Sequence, residues 1–365
     1  MIYLDHAATS FPKPPVVRAA MARALERCAN PGRGGHAPAM AAAEAVYSCR
    51  ETAGKFFHCS PEQVVFTPGC TQGLNMAIFT LAKPGSRVLI SGFEHNAVTR
   101  PLNAIGAKII TAGSRLFDQA NTLEQFEAAL KSGVDAAVFS HASNVFGYIL
   151  PVAEMAALCR QYGVPFAVDV AQSAGSLPVN FEEWGADFVA IPGHKGLLGP
   201  QGVGMLLCAR TPKPLIHGGT GSQSIQQQMP DFLPDGAEAG TLNVPGIAGL
   251  DAGMRYVNRI GLNTIAAREQ RQVARCIRGL EKLGFTVFSG PNQGGVVSFV
   301  PRMDCQQAAD ILASRGVAVR AGLHCAPLAH HTAGTLETGT VRLSFGHDAS
   351  DRQSDFFLQI ARLLG

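Results

Sequence analysis

Five short runs of this 365-residue chain are apolar almost throughout: Val64-Val-Phe-Thr67, Val88-Leu-Ile-Ser91, Ala136-Ala-Val-Phe-Ser140, Phe166-Ala-Val-Asp169 and Phe188-Val-Ala-Ile191. A strand with one wet face alternates apolar and polar residues, whereas a short run without alternation is buried on both faces. Helix-length segments separate the runs, and in the first part of the chain Val46, Cys49, Ala53 and Phe56 fall on one helical face. Buried strands alternating with helices specify an α/β fold, with a mainly parallel sheet covered on both sides. Open sheets of this kind take ligands at the carboxyl ends of their strands. The residues just after each run therefore carry the most information.

Beyond about residue 250 the pattern changes. An amphipathic helix of about 262–283 leads to a strand at 296–300, a helix of about 305–315, and strands at 317–320 and 341–344, which reads as a smaller α+β domain. The expected division is a large domain over 16–250 and a small one made of 1–15 with 251–365. Hydrophobic residues make up 47% and charged residues 16%, a balance that excludes disorder. With a formal net charge of +3 and no basic run, nucleic acid is not an expected partner. The start, Met1-Ile-Tyr-Leu-Asp-His6, lacks a leader pattern, and no apolar stretch is long enough to span a bilayer, so a cytoplasmic protein with no membrane partner is expected. Nine cysteines with no Cys-x-x-Cys pair indicate neither a disulfide framework nor a bound metal.

Three strand ends carry chemistry. After Thr67 comes Pro68-Gly-Cys-Thr-Gln-Gly73 and an apolar helix, Leu74 to Leu81. A helix N-terminus offers free N–H groups and the positive end of its dipole, so this turn, with Cys70 and the Thr71 hydroxyl, suits a phosphate; an ordinary helix cap would look the same. Asp169 ends an apolar strand, three residues before Gln172, and a carboxylate there needs a partner such as a protonated ring nitrogen. Lys195 stands alone in the Gly/Pro loop "IPGHKGLLGPQGVG" (191–204). It either snorkels to water or, desolvated, reacts with a carbonyl group. Phosphate cradle, buried acid and strand-end lysine together match the requirements of pyridoxal 5'-phosphate.

The segments "YLDHAATS" (3–10), "PGCTQGLN" (68–75), "EHNAV" (94–98), "SNVFG" (143–147), "VDVAQSAG" (168–175), "GHKGLLGPQGVG" (193–204), "EAGTLNVPGIAGL" (238–250) and "RAGLHCAP" (320–327) resemble, in order, the landmarks of fold-type I, class V pyridoxal phosphate enzymes. The most similar subgroup is the cysteine desulfurases and selenocysteine lyases. The resemblance implies a seven-stranded, mainly parallel sheet in the large domain and a homodimer. It implies Lys195 as the residue joined to the cofactor, Asp169 as the partner of the ring nitrogen, Gln172 on the ring hydroxyl and His95 stacked on the ring. Asn144 would lie beside cofactor or substrate. Cys70, Thr71 and His194 would serve the phosphate, with Thr241 reaching the phosphate of the other subunit. Arg342 would grip the substrate carboxylate, and Ala8, Arg33 and His36 belong to segments that close over the substrate. Two positions depart from the pattern: Pro192 replaces a phosphate-binding serine, and Leu323 replaces a histidine before His324.

Cys325, beside His324 in a glycine-containing loop, is either a buried filler like the other cysteines or an exposed nucleophile. The resemblance implies the second, with L-cysteine as substrate, L-alanine as product, a persulfide on Cys325 and a protein or small thiol as sulfur acceptor. L-Selenocysteine remains open as a substrate. So do another class V activity, amino transfer or elimination, and a catalytically silent binding scaffold.

Overall fold

The structure, a computed structural model, describes residues 1–32 and 34–364. Its first part contains β1 (Ile2–Tyr3), α1 (Pro15–Arg27), α2 (Ala37–Phe57), β2 (Val64–Thr67), α3 (Cys70–Leu81), β3 (Arg87–Ser91), α4 (Asn96–Ala104) and β4 (Lys108–Ala112). There follow α5 (Gln119–Lys131), β5 (Ala136–Ser140), α6 (Val152–Gln161), β6 (Phe166–Asp169), α7 (Phe181–Trp184), β7 (Phe188–Pro192) and β8 (Gly204–Cys208). The last part holds α8 (Val244–Ile260), α9 (Leu262–Lys282), β9 (Thr286–Phe288), β10 (Val296–Val300), α10 (Cys305–Ser314), β11 (Val317–Ala318), β12 (Arg320–Gly322), α11 (Pro327–Ala333), β13 (Thr340–Ser344) and α12 (Asp351–Ala361).

A seven-stranded sheet runs in the order β2-β8-β7-β6-β5-β3-β4, with only β8 antiparallel to its neighbours. The five expected runs are all strands of this sheet, and β5 and β7 are buried along their whole length. One face is covered by apolar residues of α2, α5, α6 and α8, among them Phe57, Leu130, Met155 and Leu250. The other face is covered by α3 and α4 through Leu74, Ile78, Val98 and Leu102. The sheet is thus sealed on both sides, as unalternating strands require. Gly204, opposite Pro192 in the β7–β8 pair, makes room for the turn before α3: an added Cβ would meet Gly69 Cα at 2.9 Å and Ile191 O at 2.6 Å.

The strand order reverses between β3 and β5, because β3 is followed outward by β4 and inward by β5. Such a reversal leaves a crevice at the carboxyl ends. The second sheet, β12-β13-β10-β9, is antiparallel and packs with α9, α10 and α12 around Leu280, Phe299, Leu343 and Phe357. The chain start joins this body, since β1 pairs with β11 and buries Leu4 there.

Two details differ from the sequence reading. The expected strand at 317–320 is split, with Val317-Ala318 pairing with β1 and Arg320–Gly322 with β13. Helix α3 begins at Cys70, so the turn that was expected to precede a helix at Leu74 is its first turn. Helix α8 packs on α1 and α2 and includes residue 250. No helix of the described residues is long and apolar enough to cross a membrane.

Candidate active site

Strands β2, β3, β5, β6 and β7 point the same way, and the residues leaving their carboxyl ends line one cavity of about 600 Å³. β2 delivers Cys70 and Thr71, β3 delivers His95, β5 delivers Ser140 and Asn144, β6 delivers Asp169 and Gln172, and β7 delivers Pro192, His194 and Lys195. Buried Asp169 accepts the Ala171 N–H at 2.8 Å and the Cys70 thiol at 3.4 Å, both on Oδ1. Its Oδ2 has no partner among the described residues. Lys195 Nζ likewise has no hydrogen-bond or ion-pair partner among them, and burial lowers its pKa, with Asp169 opposing the shift. A lysine of that kind spends more of its time as a neutral, nucleophilic amine.

His95 caps α4, its Nδ1 accepting the Ala97 N–H at 3.0 Å. That bond leaves the ring proton of the neutral imidazole on Nε2. The chain start ties down the residue before Lys195. The His194 carbonyl receives the Ser10 N–H at 3.0 Å, the Ser10 hydroxyl at 3.0 Å, the Thr9 hydroxyl at 3.1 Å and Lys13 Nζ at 2.7 Å. Four donors on one oxygen are more than its two lone pairs accept singly, so the carbonyl is held from several directions. Gln172 is held from the same segment, donating to the Ala7 carbonyl at 3.1 Å.

Of the nine cysteines, Cys325 alone is exposed. It lies between β12 and α11, and both His324 (φ 50°) and Cys325 (φ 57°) are left-handed. For residues with a side chain that conformation costs about 1–3 kcal/mol each and persists only where the surroundings enforce it. Here the His324 carbonyl accepts Asn144 Nδ2 at 2.8 Å, the Cys325 carbonyl accepts the Asn96 N–H at 2.8 Å, and His324 Nε2 donates to the Thr340 carbonyl at 3.2 Å. One of these bonds comes from Asn144 in the cavity wall, and another from Asn96, which follows the wall residue His95 in the chain. Arg342 stands behind Asn144, donating from Nη1 to its carbonyl at 2.9 Å and from Nη2 to Asp5 at 2.7 Å. Its Nε is buried without a partner among the described residues.

The profile of the aminotransferase class-V family matches residues 2–357. The chain belongs to that family. It is 32% identical, over 94% of its length and 89% of the relative, to a probable cysteine desulfurase of Methanothermobacter thermautotrophicus. It is 31% identical to a cysteine desulfurase of Escherichia coli, over 100% of this chain and 94% of the relative. Among solved structures, the apo cysteine desulfurase of Thermococcus onnurineus superposes with a TM-score of 0.90 at 32% identity, covering 100% of this chain and 94% of that one.

Within this class-V chain, Lys195, Asp169, Gln172, His95, Asn144, Cys70, Thr71 and His194 converge on one cavity. Arg342 and His324, the residue before Cys325, are tied to it through Asn144. Thr241 does not meet it; it lines surface pockets with Leu242, one of them beside Thr67 and Gln72. His36 caps α2 by accepting the Ala39 N–H at 3.3 Å. Ala8 is half-buried in the chain-start segment, and Arg33 lies outside the described residues. Pro192 brings no N–H or hydroxyl to the cavity wall, and Leu323 sits exposed beside His324.

Three groups were not anticipated. Lys13 grips the His194 carbonyl, and buried Glu94 lies beneath His95 in sequence, bonded to Ser91 and Ser140. Glu269 faces a second cavity of about 510 Å³ that shares Lys195 and Gln172 with the first. Burial pushes Glu269 up to about 8. Lys13 sits in a Phe-Pro-Lys-Pro stretch that reads as a solvated turn, and the other two depend on contacts far apart in sequence.

Proposed function

We propose that this protein is a pyridoxal 5'-phosphate-dependent cysteine desulfurase that converts L-cysteine to L-alanine and leaves the sulfur as a persulfide on Cys325. One observation carries the reading: the single exposed cysteine stands in a strained loop whose carbonyls are bonded to Asn96 and to Asn144, a residue in the wall of the cavity that holds Lys195 and Asp169. The names of the relatives point the same way.

The cavity suits that cofactor. Asp169 Oδ2 is an acceptor awaiting a donor, Lys195 Nζ is unengaged, and α3 starts in the cavity wall at Cys70 and Thr71. Lys195 would hold the cofactor covalently, Asp169 would pair with the ring nitrogen, and Gln172 would reach the ring hydroxyl. Cys70, Thr71 and His194 would surround the phosphate, and His95 would lie against the ring. When bound, the cofactor supplies an electron sink for the bond broken at the substrate's Cα. Once the substrate's amine has displaced it from the cofactor, the free Lys195 Nζ would take the Cα proton, a task for which its lowered pKa prepares it.

Arg342 holds the substrate carboxylate, using its free Nε–H and competing with Asp5 for Nη2. Asn144 couples this grip to the Cys325 loop, since it bonds both. Cys325 Sγ bonds to the substrate sulfur as the Cβ–S bond breaks; the carbon keeps that electron pair and is protonated to the methyl group of alanine. A second thiol, on a protein or a small molecule, then collects the sulfur. A cytoplasmic homodimer, in which Thr241 reaches the phosphate held by a second copy, completes the reading.

Incubation of the protein with pyridoxal phosphate and L-cysteine without oxygen tests it. Alanine should form, with sulfide released once a reducing thiol is added. Amino transfer to a keto acid without alanine formation would make the protein an aminotransferase instead.

A further inference from the structure

The large sheet has a gap where β3 and β5 part. Their ladder ends at Ile90 opposite Val138, although β3 continues to Ser91 and β5 to Ser140. Beyond that point each strand stays with its other neighbour, Ser91 beside Ala112 on β4 and Ser140 beside Asp169 on β6. The parting lies at the reversal of strand order, and Ser140 lines the cavity there. A buried N–H at such a place must find an acceptor outside the ladder.

Glu94 is that acceptor. Its carboxylate, with 0% of the residue exposed, accepts the Ser140 N–H at 2.9 Å, the Ser140 hydroxyl at 2.6 Å and the Ser91 hydroxyl. Ser91 Oγ in turn accepts the Phe93 N–H at 3.2 Å, which closes the turn between β3 and Glu94. One side chain therefore joins the end of β3 to the end of β5 across the gap. The next residue is His95, which caps α4 and lines the cavity. No cation pairs with Glu94 among the described residues, and burial pushes its pKa up to about 7 although all three hydrogen bonds pull it down. An uncompensated carboxyl in a core is a poor source of stability. Its value here lies in accepting from two strands at once.

We propose that Glu94 is a positioning residue, a clasp that fixes the separation of β3 and β5 beyond their ladder and so sets where His95 stands over the cavity. The role toward His95 rests on the cofactor reading above; the clasp does not. Amide-resolved hydrogen exchange on the full chain without cofactor tests the clasp, in the wild type, Glu94→Gln and Glu94→Leu. Exchange at the Ser140 amide should rise about tenfold in Glu94→Leu and less in Glu94→Gln, with the amides of Leu89 and Val138 unchanged. An unchanged Ser140 amide, or a uniform rise across the sheet, would overturn the clasp.

Steady-state kinetics at saturating pyridoxal phosphate test the second part. In Glu94→Leu, kcat should fall roughly tenfold or more with KM for cysteine within about twofold, and Glu94→Gln should recover part of the loss. A local rise in exchange with kcat at the wild-type value would overturn the link to His95. If the wild type itself takes up no pyridoxal phosphate, the cofactor reading and the link to His95 fall together, while the exchange data still decide the clasp.

Discussion

Lys195 owes its placement to residues that have no charge-pairing reason to be near it. The His194 carbonyl beside it collects four donors from the chain start, and the only charged one is Lys13, whose pKa burial lowers to about 8. Lys13→Met keeps the apolar stem and removes the ammonium group. In this variant the cofactor should remain attached at Lys195, as read by borohydride reduction and peptide mapping, while kcat falls by roughly tenfold through a slight shift of the loop. An unchanged kcat would mean that the other three donors hold the carbonyl alone. Nothing in the sequence announced this, because a lysine between prolines is an ordinary surface residue. Lys195 and Asp169 were legible for the opposite reason: a charge at the end of an apolar strand has few structural uses.

At the scale of elements, strands with both faces buried were readable because burial removes the polar residues that alternation would show. Two strands of the large sheet escaped. β4 is an edge strand with Lys108 and Thr111 exposed, so its sequence looks like a partly solvated segment. β8, Gly-Met-Leu-Leu-Cys, is fully buried but has no β-branched or aromatic residue to mark it as a strand. The split between β11 and β12 was hidden because pairing partners far away, β1 and β13, decide it. The same limit applies to the site. Its strand-end residues could be read singly, but the bonds from Asn144 and Asn96 to the Cys325 loop exist only once the second sheet is packed against the first.

The whole molecule should show its ionisable core in the pH dependence of stability. Burial lowers His6, His141, His194 and His330 to about 4 and His324 to about 2, all from 6.5. The unfolded chain therefore binds more protons below pH 6.5, and the contribution of these histidines is lost as pH falls from there toward 4. Burial raises Glu94 to about 7 and Glu269 to about 8, from 4.5. Their sign is opposite: the folded state binds more protons, so stability is lost as pH rises from 4.5 through 7 and 8. In the overlap the histidines outnumber the glutamates, which places the maximum near pH 6.5. Calorimetry of the cofactor-free chain from about pH 4.5 to 7.5, below the range where Lys13 titrates, should give a Tm that climbs toward this maximum and then levels off or declines; a Tm that falls from about pH 4.5 to 6.5 would contradict the assignment.

In the reaction proposed above both sheets take part, the large one through Lys195 and the small one through the loop of Cys325 that follows β12. The protein carrying pyridoxal phosphate, given one equivalent of L-cysteine without oxygen or other thiols, should yield alanine and one added sulfur atom on the peptide that contains Cys325, in equal amounts. Cys325→Ala should keep its cofactor and lose roughly 10² or more of the rate of alanine formation. Alanine formed in full yield with no sulfur on Cys325, or at the wild-type rate by Cys325→Ala, would contradict the account.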